Sequence, residues 1–192
     1  HNIVHMAKRQ ATSRIIAGSY KGTKLSFKPN KNLRPTESKT KETLFNWLLN
    51  DLHKKKCLDM FAGTGALGLE ALSRGADEVV FFEKQKVLCG AIEVVVKKLG
   101  INNKCRVINA NSTAFDFTTL NTKFDLIFLD PPFHESLIQK SLNIISENQL
   151  LTEQGLVYIE CERDLDLGSL KTNLTQLKLS KGGETKYCLY ES

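Results

Sequence analysis

The sequence predicts an α/β fold. Its centre is a mostly parallel sheet with helices on both faces, an antiparallel hairpin follows at the C-terminal end, and a β-hairpin and helix precede it. Three observations predict this. From Lys56 onward, short apolar runs alternate with stretches of helical period, the pattern of parallel strands joined by right-handed crossovers. Near the end, LTQLKLS and TKYCLYE flank Gly182 and Gly183 with no helical stretch between them, which reads as a hairpin on one sheet edge. Before Lys56, both the period and the charge differ from the rest.

The opening HNIVH reads as an added leader ahead of a start at Met6 and is set aside. RIIAGSYKGTKLSF, residues 14–27, has two β-prone runs around Gly18 and Gly22 and predicts a hairpin. Pro35 disfavours helix at Arg34, Thr36 is placed to cap, and Leu44, Trp47, Leu48 and Leu52 recur on one helical face, Trp47 as core. Residues 1–53 are thus an appended unit and 54–192 the main domain. In the latter, CLDMF is a first strand, and GTGALGLEALSR is a helix closed at Gly75. VVFF ends in Glu83, and a helix from Lys86 to Leu99 stops at Gly100. CRVINAN, FDLIFLD and GLVYIEC are further strands, with helical stretches near 112–117 and 135–147. Pro131 and Pro132 cannot donate to a ladder, so they end FDLIFLD and leave Asp130 at the carboxyl edge of the sheet. Open α/β sheets bind ligands at that edge.

Composition bounds the function. The 192 residues suit one domain of ordinary size. No apolar run is long enough to span a membrane and no charged-then-apolar leader is present, so the expected address is cytosolic. Five cysteines, widely spaced and without a CxxC pair, read as reduced thiols, and four histidines lack paired-ligand spacing, so no metal is expected. The chain holds 27 Lys and Arg against 21 Asp and Glu, a net charge of +6. Thirteen of those bases, against three acids, lie in residues 1–56, leaving that segment at +10 and the rest at −4. One segment facing a polyanion would produce such asymmetry, as would a solvated basic tail.

LDMFAGTGALG, residues 58–68, sets Gly63, Gly65 and Gly68 after a strand and at a helix start, and Glu83 follows twenty residues after Gly63. That spacing suits an adenosine ligand, the carboxylate accepting both ribose hydroxyls. Asp59, four residues before the first glycine, favours a ligand with positive charge over a pyrophosphate, which points to S-adenosylmethionine rather than a nicotinamide cofactor. A strand-end hydrogen bond without a ligand is the plainer role for Asp59. The stretch DPPF suits an amine acceptor. An exocyclic base nitrogen shares its lone pair with the ring, so an acceptor at Asp130 and the Pro131 carbonyl must take its N–H bonds and aim the lone pair. Pro132 stiffens the turn, and Phe133 can stack on the base. His134 reads as an exposed loop residue.

LDMFAGTGALGLEALSRGA, Glu83-Lys84, VINANS and LDPPF resemble the motifs of class I S-adenosylmethionine-dependent methyltransferases, which implies a Rossmann-like sheet. RIIAGSYKGTKL, LRPT with ETLFNWL, and KGGETKYCLY resemble the RsmD family of bacterial 16S rRNA guanine-N2 methyltransferases, from Arg14 to Glu191. The resemblance implies that Asp59, Phe61, Gly63 and Gly65 line the methionine side of the cofactor, and that Glu83 holds the ribose. It places Asn111 near the adenine amine, Lys84 along the adenine plane, and Arg34 and Thr36 over the methionine end. For Asn111 a loop cap, and for Lys84 a solvated side chain, are the alternatives. The substrate it implies is 16S rRNA, within a partly assembled small subunit, with no obligate protein partner. The basic front, with Arg14, Lys21, Lys24, Lys28 and Lys31, would then neutralise phosphates beside the mouth of the site. DPPF alone does not separate guanine N2 from adenine N6. A non-catalytic RNA-binding module and a nicotinamide oxidoreductase are the remaining alternatives.

Overall fold

The computed structural model describes residues 11–27, 38–48, 52–134 and 136–192. The leader, Lys28, Lys31, Arg34 and Thr36 lie outside the described residues. Seven strands form one sheet in the order β5-β4-β3-β6-β7-β9-β8. They are β3 (Lys56–Asp59), β4 (Glu78–Phe82), β5 (Cys105–Ile108), β6 (Phe124–Leu129), β7 (Leu151–Glu162), β8 (Thr175–Gly182) and β9 (Thr185–Glu191). The pairs β3–β4, β4–β5, β3–β6 and β6–β7 are parallel, while β9 pairs antiparallel with both β7 and β8. A separate two-stranded hairpin joins β1 (Ala11–Arg14) to β2 (Lys24–Phe27).

Helices α1 (Ser38–Trp47), α2 (Ala66–Ser73) and α3 (Lys86–Leu99) serve one face of the sheet, and α4 (Leu137–Glu147) the other. The strands explain this two-sidedness. Successive side chains point to opposite faces, so in β4 Val79 and Phe81 join the first core while Val80 and Phe82 join the second. Strands covered on both faces are apolar throughout rather than alternating. The first core also holds Leu25, Leu44, Phe45 and Leu48, so the hairpin and α1 share it with the sheet. Gly68, third of the spaced glycines, earns its place here. A Cβ on it would lie 2.3 Å from the Phe81 ring, so only glycine lets α2 sit this close to β4.

A buried polar cluster fastens the N-terminal segment to α2. The Glu70 carboxylate, on the inward face of α2, accepts from the backbone N–H groups of Ile16 (2.8 Å) and Ala17 (3.2 Å) and from Arg74 Nε (3.0 Å). Lys41 on α1 brings its ammonium to 3.5 Å from the same carboxylate, with both side chains fully buried. The ammonium also donates to the Arg14 carbonyl at 2.8 Å. Below it, the turn at 17–20 wraps the end of α2, where Ser73 Oγ donates to the Ala17 carbonyl and accepts from the Tyr20 N–H.

Four expectations are adjusted. The first hairpin strand covers Ala11–Arg14 rather than RIIA. Ile15 still pairs with Thr23, but the next two amides turn away to Glu70. Leu52 is buried at 5% exposure yet lies beyond α1. The stretch near 112–117 is two 3-10 turns, Ser112–Ala114 and Phe117–Thr119, rather than a helix. Asn111 and Asp116 each cap one of them, and such side chains compete with helix propagation. Finally, β7 starts at Leu151, before the GLVYIEC run. Trp47 is half-buried and packs against Tyr187. The five cysteines are free thiols. Among the described residues no helix is long and apolar enough to cross a membrane, and no cluster of three or more His, Cys, Asp or Glu could hold a metal ion.

Candidate active site

Three strand ends meet at one cavity. β3 ends at Asp59, and the chain then crosses to α2 through a loop laced to the neighbouring strands: Met60 N–H donates to Phe128 O (3.2 Å) and Ala62 N–H to Phe82 O (2.9 Å). Gly63 and Gly65 take left-handed φ values of 56° and 80° in this loop, a conformation costly for other residues. β4 delivers Glu83, whose carboxylate accepts from Gly63 N–H at 3.1 Å and Gln85 N–H at 2.6 Å. The backbone behind it is pinned by Asn109 Nδ2, which donates to the carbonyls of Glu83 and Lys84. β6 delivers Asp130 and the prolines. Ser112 Oγ donates to the Met60 carbonyl at 2.6 Å, closing the wall between the 3-10 turn and the glycine loop.

The cavity is lined by Phe61, Gly63, Glu83, Lys84, Asn111, Asp130, Pro131 and Pro132 among the residues expected there. Asn111 turns its side-chain oxygen to the N–H and hydroxyl of Thr113, so it caps its turn while also lining the cavity. Three expected residues are not on the lining. Gly65 sits behind the loop, where a Cβ would be 3.0 Å from Ile92. Phe133 is half-buried outside the wall, its ring 6.1 Å from that of His134. Asp59 is 1% exposed beneath the loop.

The spacing that singled out Gly65 therefore marks a backbone requirement rather than a contact. Gln85, Leu88, Ala110 and Ser112 also line the cavity. Sequence pattern missed them because Leu88 reads as an inward residue of α3, and the others become wall only through long-range loop contacts. On the basic front, Arg14, Lys21 and Lys24 are exposed. Arg14 Nη1 donates to the Gly22 carbonyl. Lys21 belongs to the turn that docks on Ser73, the end of α2 remote from Gly65, about 12 Å along an eight-residue helix. Arg14 and Lys24 lie on the two hairpin strands and Lys21 in the turn between them.

The Asp59 carboxyl is strongly shifted. Burial, then the neighbouring Asp130 charge, push it up from 3.8 to about 8, with Glu83 adding to the rise and the backbone amides of Phe61 and Gly68 opposing it. Its Oδ1 has no hydrogen-bond partner. Between pH 4 and 8 the unfolded chain has released this proton while the folded one retains it, so folding stability falls as pH rises through that window. Asn at 59 keeps an acceptor for the two amides and has no charge to bury. Asp59→Asn is therefore expected to flatten the pH dependence of the melting temperature. At pH 8 the variant should melt higher, by on the order of 2–4 °C for each kcal/mol recovered. Scanning calorimetry from pH 5 to 8 checks it, and parallel wild-type and variant curves contradict it.

A family model described as conserved hypothetical protein 95 matches residues 13–191. The chain is 41% identical over 181 residues to ribosomal RNA small subunit methyltransferase D of Haemophilus influenzae, covering 93% of each. It is 35% identical over 178 residues to the protein of the same name in Escherichia coli, covering 93% of this chain and 89% of that one. A solved structure from Escherichia coli superposes with a TM-score of 0.81 at 32% identity, over 94% of this chain and 98% of that one.

Proposed function

Because the chain belongs to the conserved hypothetical protein 95 family, that of ribosomal RNA small subunit methyltransferase D, we propose that it methylates ribosomal RNA. In this reading S-adenosylmethionine is the donor and the N2 amine of a guanine in the small-subunit RNA is the acceptor. One observation carries the choice of donor. Gly63 N–H, the amide that a pyrophosphate would need, is already given to the Glu83 carboxylate. Asp59, Glu83 and Asp130 lie close enough for the latter two to raise the Asp59 pKa. Glu83 and Asp130, both on the lining, favour a cationic ligand and repel a diphosphate.

The residues present fit S-adenosylmethionine. Glu83 has the acceptor oxygens for ribose hydroxyls, Leu88 and Phe61 offer apolar surface, and the Asp59 carboxyl behind the loop would be drawn toward its ionised form by a cationic ligand. The donor supplies a methyl carbon already activated by its sulfonium. Asp130 and the Pro131 carbonyl accept the N–H bonds of the base amine, so its lone pair turns out of conjugation and toward the donor. Asp130 holds the proton the nitrogen sheds, and Pro131 and Pro132 keep both acceptors from relaxing. Phe133, outside the wall, stacks on the base as it arrives.

Nucleoside analysis of 16S rRNA from a strain lacking this protein tests the proposal. Disappearance of one N2-methylguanosine, restored by the wild-type chain, is expected. A missing N6-methyladenosine would move the acceptor to adenine, and an unchanged profile would remove the proposal.

The exposed hairpin bases bear on how the RNA is held. Replacing Arg14, Lys21 and Lys24 together by Glu is expected to weaken RNA binding about tenfold or more near 0.1 M salt and to flatten its salt dependence by about 0.7 in log–log slope per lost contact. S-adenosylmethionine affinity should not change. Filter binding across a salt series reads both effects, and an unaltered slope would reduce these residues to a solvated surface.

A further inference from the structure

A second cavity, of about 490 Å³, lies on the other side of the proline turn. Pro131, Pro132 and Leu137 line both cavities, whereas Asp130 opens only on the first. An amine held by Asp130 therefore sits in the first cavity, and the shared residues set the second directly beside it, where a neighbouring nucleotide can reach.

The lining has the chemistry of a base site. Ile138, Leu165 and Leu170 supply apolar walls. Gln139 is fully used: Lys171 N–H donates to its Oε1 (2.7 Å), and its Nε2 donates to Lys171 O and Asn143 Oδ1, both at 2.9 Å. It thus ties the loop after Leu170 to α4 and makes the back wall rigid. The half-buried carboxylate of Glu162, at the end of β7, carries no hydrogen bond or ion pair among the described residues. Glu162 is the carboxylate of a lining that also carries Lys171 and His134, and as an acceptor it calls for N–H donors. At the rim, His134 and Ser136 take left-handed φ values of 61° and 55°. Strained backbone of this kind clusters at ligand sites.

We propose that this second cavity seats an unpaired nucleobase flanking the methylated one, with Glu162 accepting from its N–H edge. Guanine fits best, since N1–H and N2–H can meet the two carboxylate oxygens together. The inference rests on the RNA-methylating reading and adds a sequence-reading subsite to it.

The test uses small ribosomal subunits reconstituted with in vitro transcribed 16S rRNA, in which the nucleotides on either side of the methylated one are changed one at a time. The wild type is expected to lose at least tenfold in kcat/KM for a change on one side. Glu162→Ala should lose several-fold on the native sequence and no longer distinguish the changed one. Asn143→Trp, at an exposed helical position, fills the cavity and should raise KM for the subunit about tenfold, with kcat and S-adenosylmethionine affinity within twofold. If Glu162→Ala discriminates as the wild type does, or if Asn143→Trp leaves KM unchanged, the subsite is wrong while the methylation itself stands. If Asn143→Trp does not fold, the flanking-base comparison with Glu162→Ala decides alone. A wild type that fails to methylate any such subunit overturns the functional proposal instead.

Discussion

Asp130→Ala is expected to lose about a thousandfold in kcat while binding S-adenosylmethionine within a few-fold of the wild type. The magnitude follows from what the side chain does. Positioned acid–base groups contribute roughly 10²–10⁴, and orientation of a conjugated amine adds to that. The separation of the two readouts follows from the site: Glu83, the loop amides and Leu88 remain in place when the carboxylate at 130 is removed. Asp130→Asn divides the effect further. An amide oxygen still accepts one N–H but takes no proton, so Asn should fall between Ala and Asp. Single-turnover transfer of a labelled methyl group, with calorimetric titration of the donor, measures both. A rate for Asp130→Ala near that of the wild type would mean that the amine is aimed by something else, and the mechanism would need a different acceptor.

What made Asp130 findable was local chain chemistry. Two prolines must stop a strand, the preceding residue must then sit at the strand end, and strand ends in this fold class face the ligand. The glycine loop and Glu83 were legible for the same reason, since each is a rule about one strand and the turn that follows it. Gly65 and Gly68 were legible as glycines but not in their roles. One accommodates Ile92 and the other Phe81, and neither neighbour can be named without knowing how α3 and β4 pack. Ser112, Gln85 and Ala110 enter the wall through contacts across many residues, as when Ser112 Oγ reaches Met60 O. No periodicity encodes such a contact. The false helix near 112–117 has the opposite origin. There Asn111 and Asp116 each capture the backbone into a separate turn.

The Glu70 cluster was invisible in the sequence for a further reason: Lys41, Glu70 and Arg74 look like ordinary solvated charges on helices, and burial alone makes them structural. Glu70→Ala is expected to destabilise the protein by about 3–5 kcal/mol, the range for removing one partner of a buried ion pair. Two consequences add together. The Lys41 ammonium, fully buried, keeps only Ser13 Oγ and Arg14 O as partners among the described residues. The N–H groups of Ile16 and Ala17 lose their acceptor, and unmet buried amides cost about 1–3 kcal/mol each. At roughly 2–4 °C per kcal/mol for a chain of this size, the melting temperature should drop by about 6–20 °C. Lys41→Met should cost far less, because Glu70 keeps Arg74 and both amides and Met fills the same apolar slot. The double variant is then expected to be more stable than Glu70→Ala alone, since no bare ammonium is left inside. Thermal unfolding by circular dichroism gives all three values. If Glu70→Ala melts within 2–3 °C of the wild type, water reaches Lys41 and the hairpin does not depend on this carboxylate for its attachment to α2. If the drop occurs but the double variant does not recover, the loss belongs to the two amides. The first turn of the hairpin, rather than the ion pair, would then be what holds the N-terminal segment to the helix that begins at the glycine loop.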